Sequence, residues 1–262
     1  MARRAAEPRL GSSPGAPQPA PAYYASGHGR WRDIRALLHP PYTAWHLSYV
    51  VIGAVSGPLF SWEVLGATLL AFFLAVGVAA HALDELHGRP LCTSFPSSRL
   101  VAAASISLAG AMALGVAGAV TRIGPGLVVF IAVGAVLVVG YSLELLGGRL
   151  HGDVGFALAW GAFPVLAAAY AENRALPAGA LVLAAAAALL SASQRALSAP
   201  ARTLRRQVLS VEGRIVSADG TSKVLDRDYI LGPLETALRR VSWAMVLVAA
   251  GLVTARTLHW RW

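Results

Sequence analysis

Long apolar runs separated by short polar segments dominate the chain. Seven of these runs are long enough to span, or nearly span, a bilayer core that needs about 20 helical residues. They cover approximately residues 42–60, 62–83, 98–120, 125–146, 154–171, 177–197 and 236–256. Glycine and alanine are abundant in them, which is typical of membrane helices that pack closely. The pattern predicts an all-α, polytopic membrane bundle of about seven spans.

The composition also indicates a membrane protein. Of the 262 residues, 56% are hydrophobic and only 13% are charged, whereas about 25% are charged in a typical soluble domain. The net charge of +9 would suit a nucleic-acid-binding protein, but the chain contains no nucleic-acid motif. Basic residues beside apolar spans are expected from the positive-inside rule. We therefore predict the lipid bilayer, and not nucleic acid, as a partner.

The positions of the basic residues orient the predicted spans. With the N-terminus inside, most of the 22 lysines and arginines lie in inner segments. The exceptions are Arg122, Arg174, Arg256 and Arg261. This bias predicts an inner N-terminus and an outer C-terminus. The Ala-, Gly- and Arg-rich composition indicates the plasma membrane of a bacterium as the location.

The ends of the chain differ from the bundle. Residues 1–29 are rich in Pro, Ala, Gly, Ser and Arg and are predicted to be a disordered tail, with an organellar transit peptide as a weaker alternative. Residues 30–262 are predicted to be one transmembrane domain, and Gly29 to Pro40 suits a short amphipathic helix at the headgroups. The last residues, 259–262, are predicted to be an interfacial anchor.

The longest inner connection, 198–235, has a pattern of its own. Asp219 and Gly220 separate two segments with β-branched residues. An Asp-Gly pair between extended segments is a signal for a hairpin turn. The sequence predicts a small inner-side β-hairpin, with a plain solvated loop as the alternative.

The end of the second apolar run carries the first candidate site. Ionisable residues at the end of a membrane span are costly and suggest function. On a helix, His81 can meet both Asp84 and Glu85, and His87 lies three residues beyond Asp84. Asp84 and Glu85 are candidate catalytic residues and ligands of a Mg²⁺ bound to a diphosphate. The alternative is a polar helix end exposed at the interface.

Residues beside these carboxylates are candidate substrate-binding groups. His81 and His87 can donate hydrogen bonds to a diphosphate, or favour a softer metal. Arg89 can pair with phosphate oxygens in a bidentate way. After the sixth run, Gln194, Arg195 and Arg202 are further candidates for binding the same anion. Positive charges that face lipid headgroups are the alternative, especially for Arg202.

A third polar group surrounds the turn between the fourth and fifth runs. Tyr141 is a candidate catalytic residue that either faces an internal cavity or simply packs. Asp153 precedes a helical run, and its position favours a helix N-cap over a catalytic role.

Several of these motifs together resemble the UbiA superfamily of intramembrane prenyltransferases over residues 32 to 256. They include the acidic motif followed by Arg89-Pro90-Leu91, the tripeptide Gly140-Tyr141-Ser142, and the segment Gly155-Phe156-Ala157-Leu158-Ala159-Trp160-Gly161. A polar end of the sixth run that faces the first motif also resembles the family.

The resemblance implies transfer of a prenyl group from an isoprenoid diphosphate to a hydrophobic acceptor, or cyclisation of the same substrate class. Mg²⁺ would hold the diphosphate. This chain departs from the family's pattern because Asp84 and Glu85 are the only acidic residues of the first motif, and the second acidic motif is absent. The predicted seven spans are also fewer than the nine usual for the family.

These departures leave a second hypothesis open. The chain would then be a non-catalytic UbiA-like protein that binds a lipid, or a subunit that joins a membrane-protein partner in a complex. The polar face at residues 81–91 favours the enzyme, and the missing second acidic motif favours the alternative.

Overall fold

The computed structural model describes residues 20–145 and 147–258, and this part of the chain is mostly helical. The predicted anchor at 259–262 and most of the predicted tail lie outside the described residues. The helices, numbered in chain order, are α1 Arg30–Leu38, α2 Pro40–Ala54, α3 Trp62–Leu86, α4 Ser97–Ile123, α5 Leu127–Ser142, α6 Asp153–Asn173, α7 Ala178–Arg206 and α8 Arg227–Leu258.

Among the described residues, five helices are long and apolar enough to cross a membrane, judged by length and composition: α3, α4, α6, α7 and α8. The helix α5 is apolar but has only 16 residues, and α2 has 15. Both end earlier than their apolar runs. The chain turns after Ala54 towards Gly57 and Pro58, and Glu144 adopts a left-handed φ of 49° two residues after α5. The apolar pattern thus predicted the helices but overestimated two lengths.

A two-stranded antiparallel sheet interrupts the helical fold between α7 and α8. Its strands are β1 Arg214–Val216 and β2 Ser222–Val224, with Ile215 opposite Lys223. In the turn, Asp219 accepts hydrogen bonds from the backbone nitrogen and the hydroxyl of Thr221. Gly220 has a φ of 82°, which suits glycine because it lacks a Cβ. The predicted Asp-Gly hairpin is confirmed.

Close helix approaches hold the bundle together. The helix α2 packs against the second half of α6 and against α8. At Gly53, an added Cβ would collide with the backbone carbonyl of Val165 on α6. At Gly161, a Cβ would lie 2.5 Å from the carbonyl oxygen of Ala187 on α7. These glycines allow backbone-to-backbone contact, which is how small residues support packing between membrane helices.

Three helices contain π-helical turns, at Phe73–Ala80 in α3, Ala119–Ile123 in α4 and Ala157–Ala162 in α6. A π-turn inserts an extra residue and rotates the side chains that follow it. The turn in α3 leads directly into His81, and the turn in α6 carries Trp160. Both therefore help to aim side chains at the site described next.

Candidate functional site

A polar cavity of about 300 Å³ lies at one end of the bundle, which we call the cavity end. Its walls come from α2, α3, α5, α6, α7 and α8, together with residues that precede α1. The sequence predicted nine candidate site residues, and seven of them line this cavity: His81, Asp84, His87, Tyr141, Gln194, Arg195 and Arg202. The polar ends of α3 and α7 therefore do face each other.

Glu85 lies outside the cavity lining. Its carboxylate is fully buried, and it accepts hydrogen bonds from the backbone nitrogens of Leu91 and Thr93 at 2.9 and 2.8 Å. The hydroxyl of Thr93 donates a third hydrogen bond to this carboxylate, at 2.9 Å. These contacts fasten the loop between α3 and α4, so the carboxylate oxygens are already engaged. Metal binding by Glu85 stays a prediction from the sequence.

Arg89 also lies outside the lining and holds the same loop. Its guanidinium donates to the carbonyl of Phe95 and to the hydroxyl of Ser97, both at 2.6 Å. Asp33 on α1 fastens the loop from the other side, through the backbone nitrogen and hydroxyl of Ser94. Burial would raise the pKa of the Asp33 carboxyl, but hydrogen bonds from Ser94 and Arg32 outweigh burial and hold that pKa below its usual value.

Arg195 joins three elements at the cavity wall. Its guanidinium donates to the Asp153 carboxylate at 2.5 Å, to the Tyr141 hydroxyl at 2.9 Å and to the His151 carbonyl at 2.8 Å. It also lies 5.5 Å from the centre of the Phe156 ring. Asp153 is the first residue of α6 and pairs with Arg195, so the N-cap prediction for Asp153 was wrong: the capping position belongs to Gly152.

Two other arginines keep unpaired charge in the cavity. Arg202 donates to the Ser198 hydroxyl at 3.1 Å, and Arg206 donates from Nε to the carbonyl of Pro21 at 3.2 Å. Within residues 20–145 and 147–258, neither guanidinium forms an ion pair with a carboxylate. Arg205 differs because Glu235 accepts from two of its nitrogens.

Histidines are concentrated at this cavity. Five of them line it: His39, His46, His81, His87 and His151. The rings of His39 and His81 stack with centres 4.3 Å apart, and Nδ1 of His46 donates to the Trp160 carbonyl at 2.8 Å. His39 and His46 were not predicted as site residues, because each stands alone near the start of an apolar run.

Three buried polar atoms at the cavity have no hydrogen-bond partner among the described residues. They are Oε1 of Gln194, the hydroxyl oxygen of Ser142 and the hydroxyl oxygen of Tyr23. Buried polar groups are nearly always paired, so each exception needs an explanation. The hydroxyl of Ser142 lies beside the Asp84 carboxylate, which can accept from it, and a bound ligand with polar groups in this cavity could pair with the other two atoms.

An apolar groove of about 440 Å³ adjoins the polar cavity. It runs between α3, α4, α5 and α6, and its walls include Phe72, Phe130 and Phe163. Val76 and Trp160 line both the groove and the cavity, so the two spaces are neighbours at these side chains. The combined site suits a ligand with a polar head and an apolar chain.

The residues of the cavity fit Mg²⁺ poorly. This ion prefers oxygen ligands, but Glu85 is engaged by the loop and Glu235 pairs with Arg205. Glu144 lies 4.0 Å from His87 and 3.9 Å from His151. Of the three carboxylates that line the cavity, Asp84 alone forms no ion pair with a described residue. In the described part of the chain, no group of three His, Cys, Asp or Glu side chains is arranged to hold a metal.

Comparison of the chain with protein-family models, with curated proteins and with solved structures found no match.

Proposed function

We propose that this chain is a UbiA-like membrane protein that binds an isoprenoid diphosphate and transfers, or cyclises, its prenyl group. The observation that carries the proposal is the junction at Val76 and Trp160, where the polar cavity meets the apolar groove. A diphosphate head would lie among the arginines of the cavity. The prenyl chain would then lie along the aromatic walls of the groove.

The chemistry follows from this placement. The bond between the allylic carbon and the diphosphate oxygen breaks, and the leaving diphosphate keeps the electron pair. Arg195 and Arg202 stabilise the negative charge that develops on it. Positive charge develops on the allylic carbon near Trp160 and Tyr141, whose ring faces attract cations. The hydrophobic acceptor attacks that carbon and then loses a proton, which the released diphosphate takes.

We also propose the arrangement in the membrane. Helices α2 to α8 cross the bilayer as seven spans in the plasma membrane of a bacterium, with the cavity end inside and the C-terminus outside. The support is the distribution of basic residues. Helices α2 and α5 are shorter than an average hydrocarbon core of about 30 Å at 1.5 Å per residue. Their ends would be accommodated by local thinning of the bilayer or by flanking polar residues.

A non-catalytic role is the second candidate. The cavity has few carboxylates, and backbone carbonyls of residues before α1 already accept hydrogen bonds from Arg205 and Arg206. The protein would then bind a lipid with an anionic head, or serve as a subunit beside a membrane-protein partner. Ligand binding without turnover is what this role predicts.

The test compares geranylgeranyl diphosphate with inorganic pyrophosphate in thermal unfolding of the purified protein, in Mg²⁺ and in EDTA. A ligand that binds only the native state raises Tm by mass action. We expect a larger shift with geranylgeranyl diphosphate, because its chain buries apolar surface in the groove. Absence of any shift with either ligand in either buffer would overturn the proposal.

Two matched variants on α5 locate the prenyl chain. Ala135 lines the groove, whereas Ala132 is exposed outside it. In Ala135→Phe, we expect geranylgeranyl diphosphate to raise Tm no more than pyrophosphate does. In Ala132→Phe, we expect both ligands to raise Tm as much as they do in the parent protein. Release of labelled pyrophosphate from the prenyl substrate then distinguishes the enzyme from the non-catalytic binder.

A further inference from the structure

We infer that the cavity holds the diphosphate directly on arginine side chains, without a Mg²⁺ ion between them. The inference rests on the proposed function and deepens it, because it states how the head of the ligand is bound. It departs from the metal dependence that the family resemblance implies.

The first argument is the supply of metal ligands. A Mg²⁺ ion that bridges protein and phosphate is held by carboxylates, and two of the three carboxylates at the cavity already face cationic or imidazole groups. Asp84 is the third. A cavity with one unpaired carboxylate and several guanidinium groups suits an anion better than a hard cation, because the guanidinium groups donate hydrogen bonds and carry positive charge.

The second argument is the balance of charge. Arg195 and Arg205 pair with Asp153 and Glu235, but Arg202 and Arg206 have no such partner in the described ranges. Arg202 and Arg206 lie close enough in this cavity to repel each other, and the Asp84 carboxylate, which attracts Arg202, forms no ion pair with either arginine in those ranges. A diphosphate placed between them would remove this repulsion and supply bidentate acceptors.

The third argument is the set of unpartnered hydroxyls. The hydroxyl of Tyr23 is buried at the cavity and can donate to a phosphate oxygen, whereas the hydroxyl of Ser142 lies beside the Asp84 carboxylate and would have to turn away from it to do so. The carbonyl of Pro21 already accepts a hydrogen bond from Arg206. This carbonyl shows that an oxygen acceptor fits beside the Arg206 guanidinium, where a phosphate oxygen could take its place.

Isothermal titration of the full-length protein with inorganic pyrophosphate and with geranylgeranyl diphosphate tests the inference. We expect Kd in EDTA to be equal to or lower than Kd in Mg²⁺, because Mg²⁺ binds free diphosphate and competes with the arginines for it. Replacing Arg202 with Gln should raise Kd by about tenfold or more, since a charge-assisted hydrogen bond is lost. Arg99→Gln is the matched control, because Arg99 is exposed at the start of α4 and lies outside the cavity lining.

The Asp84→Asn variant gives opposite results for the two binding modes. If arginines bind the diphosphate directly, removing this negative charge leaves Kd unchanged or lowers it. If Mg²⁺ bridges, the variant loses binding. Binding that requires Mg²⁺, or that is lost in Asp84→Asn while Tm stays near that of the parent, would overturn the inference and leave the proposed function standing. If neither ligand binds in either buffer, the inference and the proposed function are both overturned.

Discussion

Asp84 and Glu85 are neighbours in the sequence, yet they face different surroundings at the end of α3. Asp84 lines the polar cavity, while Glu85 points into the loop between α3 and α4. Consecutive helical residues differ by about 100° in direction, so a pair of adjacent carboxylates seldom serves one site. At the scale of single residues, Glu85 is therefore better explained by the loop than by ligand binding.

Replacing Glu85 with Ala should lower the free energy of unfolding by about 3 kcal/mol, because two buried backbone nitrogens and one hydroxyl lose their acceptor. Thermal unfolding of the detergent-purified protein in EDTA measures the effect. Glu212→Ala is the control, since Glu212 is exposed. A variant as stable as the parent in EDTA, but with less stabilisation by Mg²⁺, would indicate a metal ligand instead.

At the scale of elements, residues 20–29 act as a strap over the cavity end. The sequence predicted that they belong to a disordered tail, but the structure places them against the bundle with Ala25 buried. Arg32 and Arg35 donate to the carbonyls of Ala25 and Ser26, and the Tyr24 hydroxyl lies 2.6 Å from Nδ1 of His39. Composition alone could not predict these contacts, because most of them use backbone carbonyls.

The strap should make stability depend on pH through His39. Burial lowers the pKa of His39 well below its usual value, and the nearby charges of His81 and the arginines add to that effect. The groups that face the ring are Tyr24, Tyr42, His81, Arg202 and Arg206. Unfolded His39 binds a proton near pH 6.5 that the folded state does not bind. The contribution of neutral His39 to the free energy of unfolding is therefore complete above pH 6.5. It is lost progressively as the pH falls from there towards the lowered pKa of the folded state.

We expect the wild type to lose about 1 kcal/mol more than His39→Asn when the pH falls from about 7.5 to about 5.5. Asparagine tolerates the left-handed φ of 46° and can still accept from Tyr24. Thermal unfolding at the two pH values measures the difference, with His28→Asn as a control at an exposed histidine. Equal pH dependence in all three proteins would show that His39 does not control it.

At the scale of the whole molecule, the cavity and the groove divide the bundle into a polar end and an apolar interior. The other end of the groove is lined by Glu63 and Arg122, which form an ion pair. A ligand chain would thus run along α3 from one end towards the other. This arrangement requires the two ends of α3 to lie on opposite sides of the membrane.

Cys92 provides a direct test of the proposed orientation, because it is an exposed free cysteine in the loop after α3. A membrane-impermeant maleimide should not label it in intact cells and should label it in inverted vesicles. In a Cys92→Ser background, Leu59→Cys should show the reverse, since Leu59 is exposed before α3 begins. Labelling of both positions from the same side would mean that α3 does not cross the bilayer.

The sequence by itself determined the helices and the hairpin, because apolar runs and an Asp-Gly turn depend on local physical chemistry. It also indicated that the polar ends of α3 and α7 form one site. Only the tertiary structure decided that Asp84 faces the cavity while Glu85 does not, that His39 and His46 join the site, and that the groove meets the cavity at Trp160. Helices that are apolar on nearly all sides carry little information about their rotation, so packing against neighbouring helices sets which side chains meet.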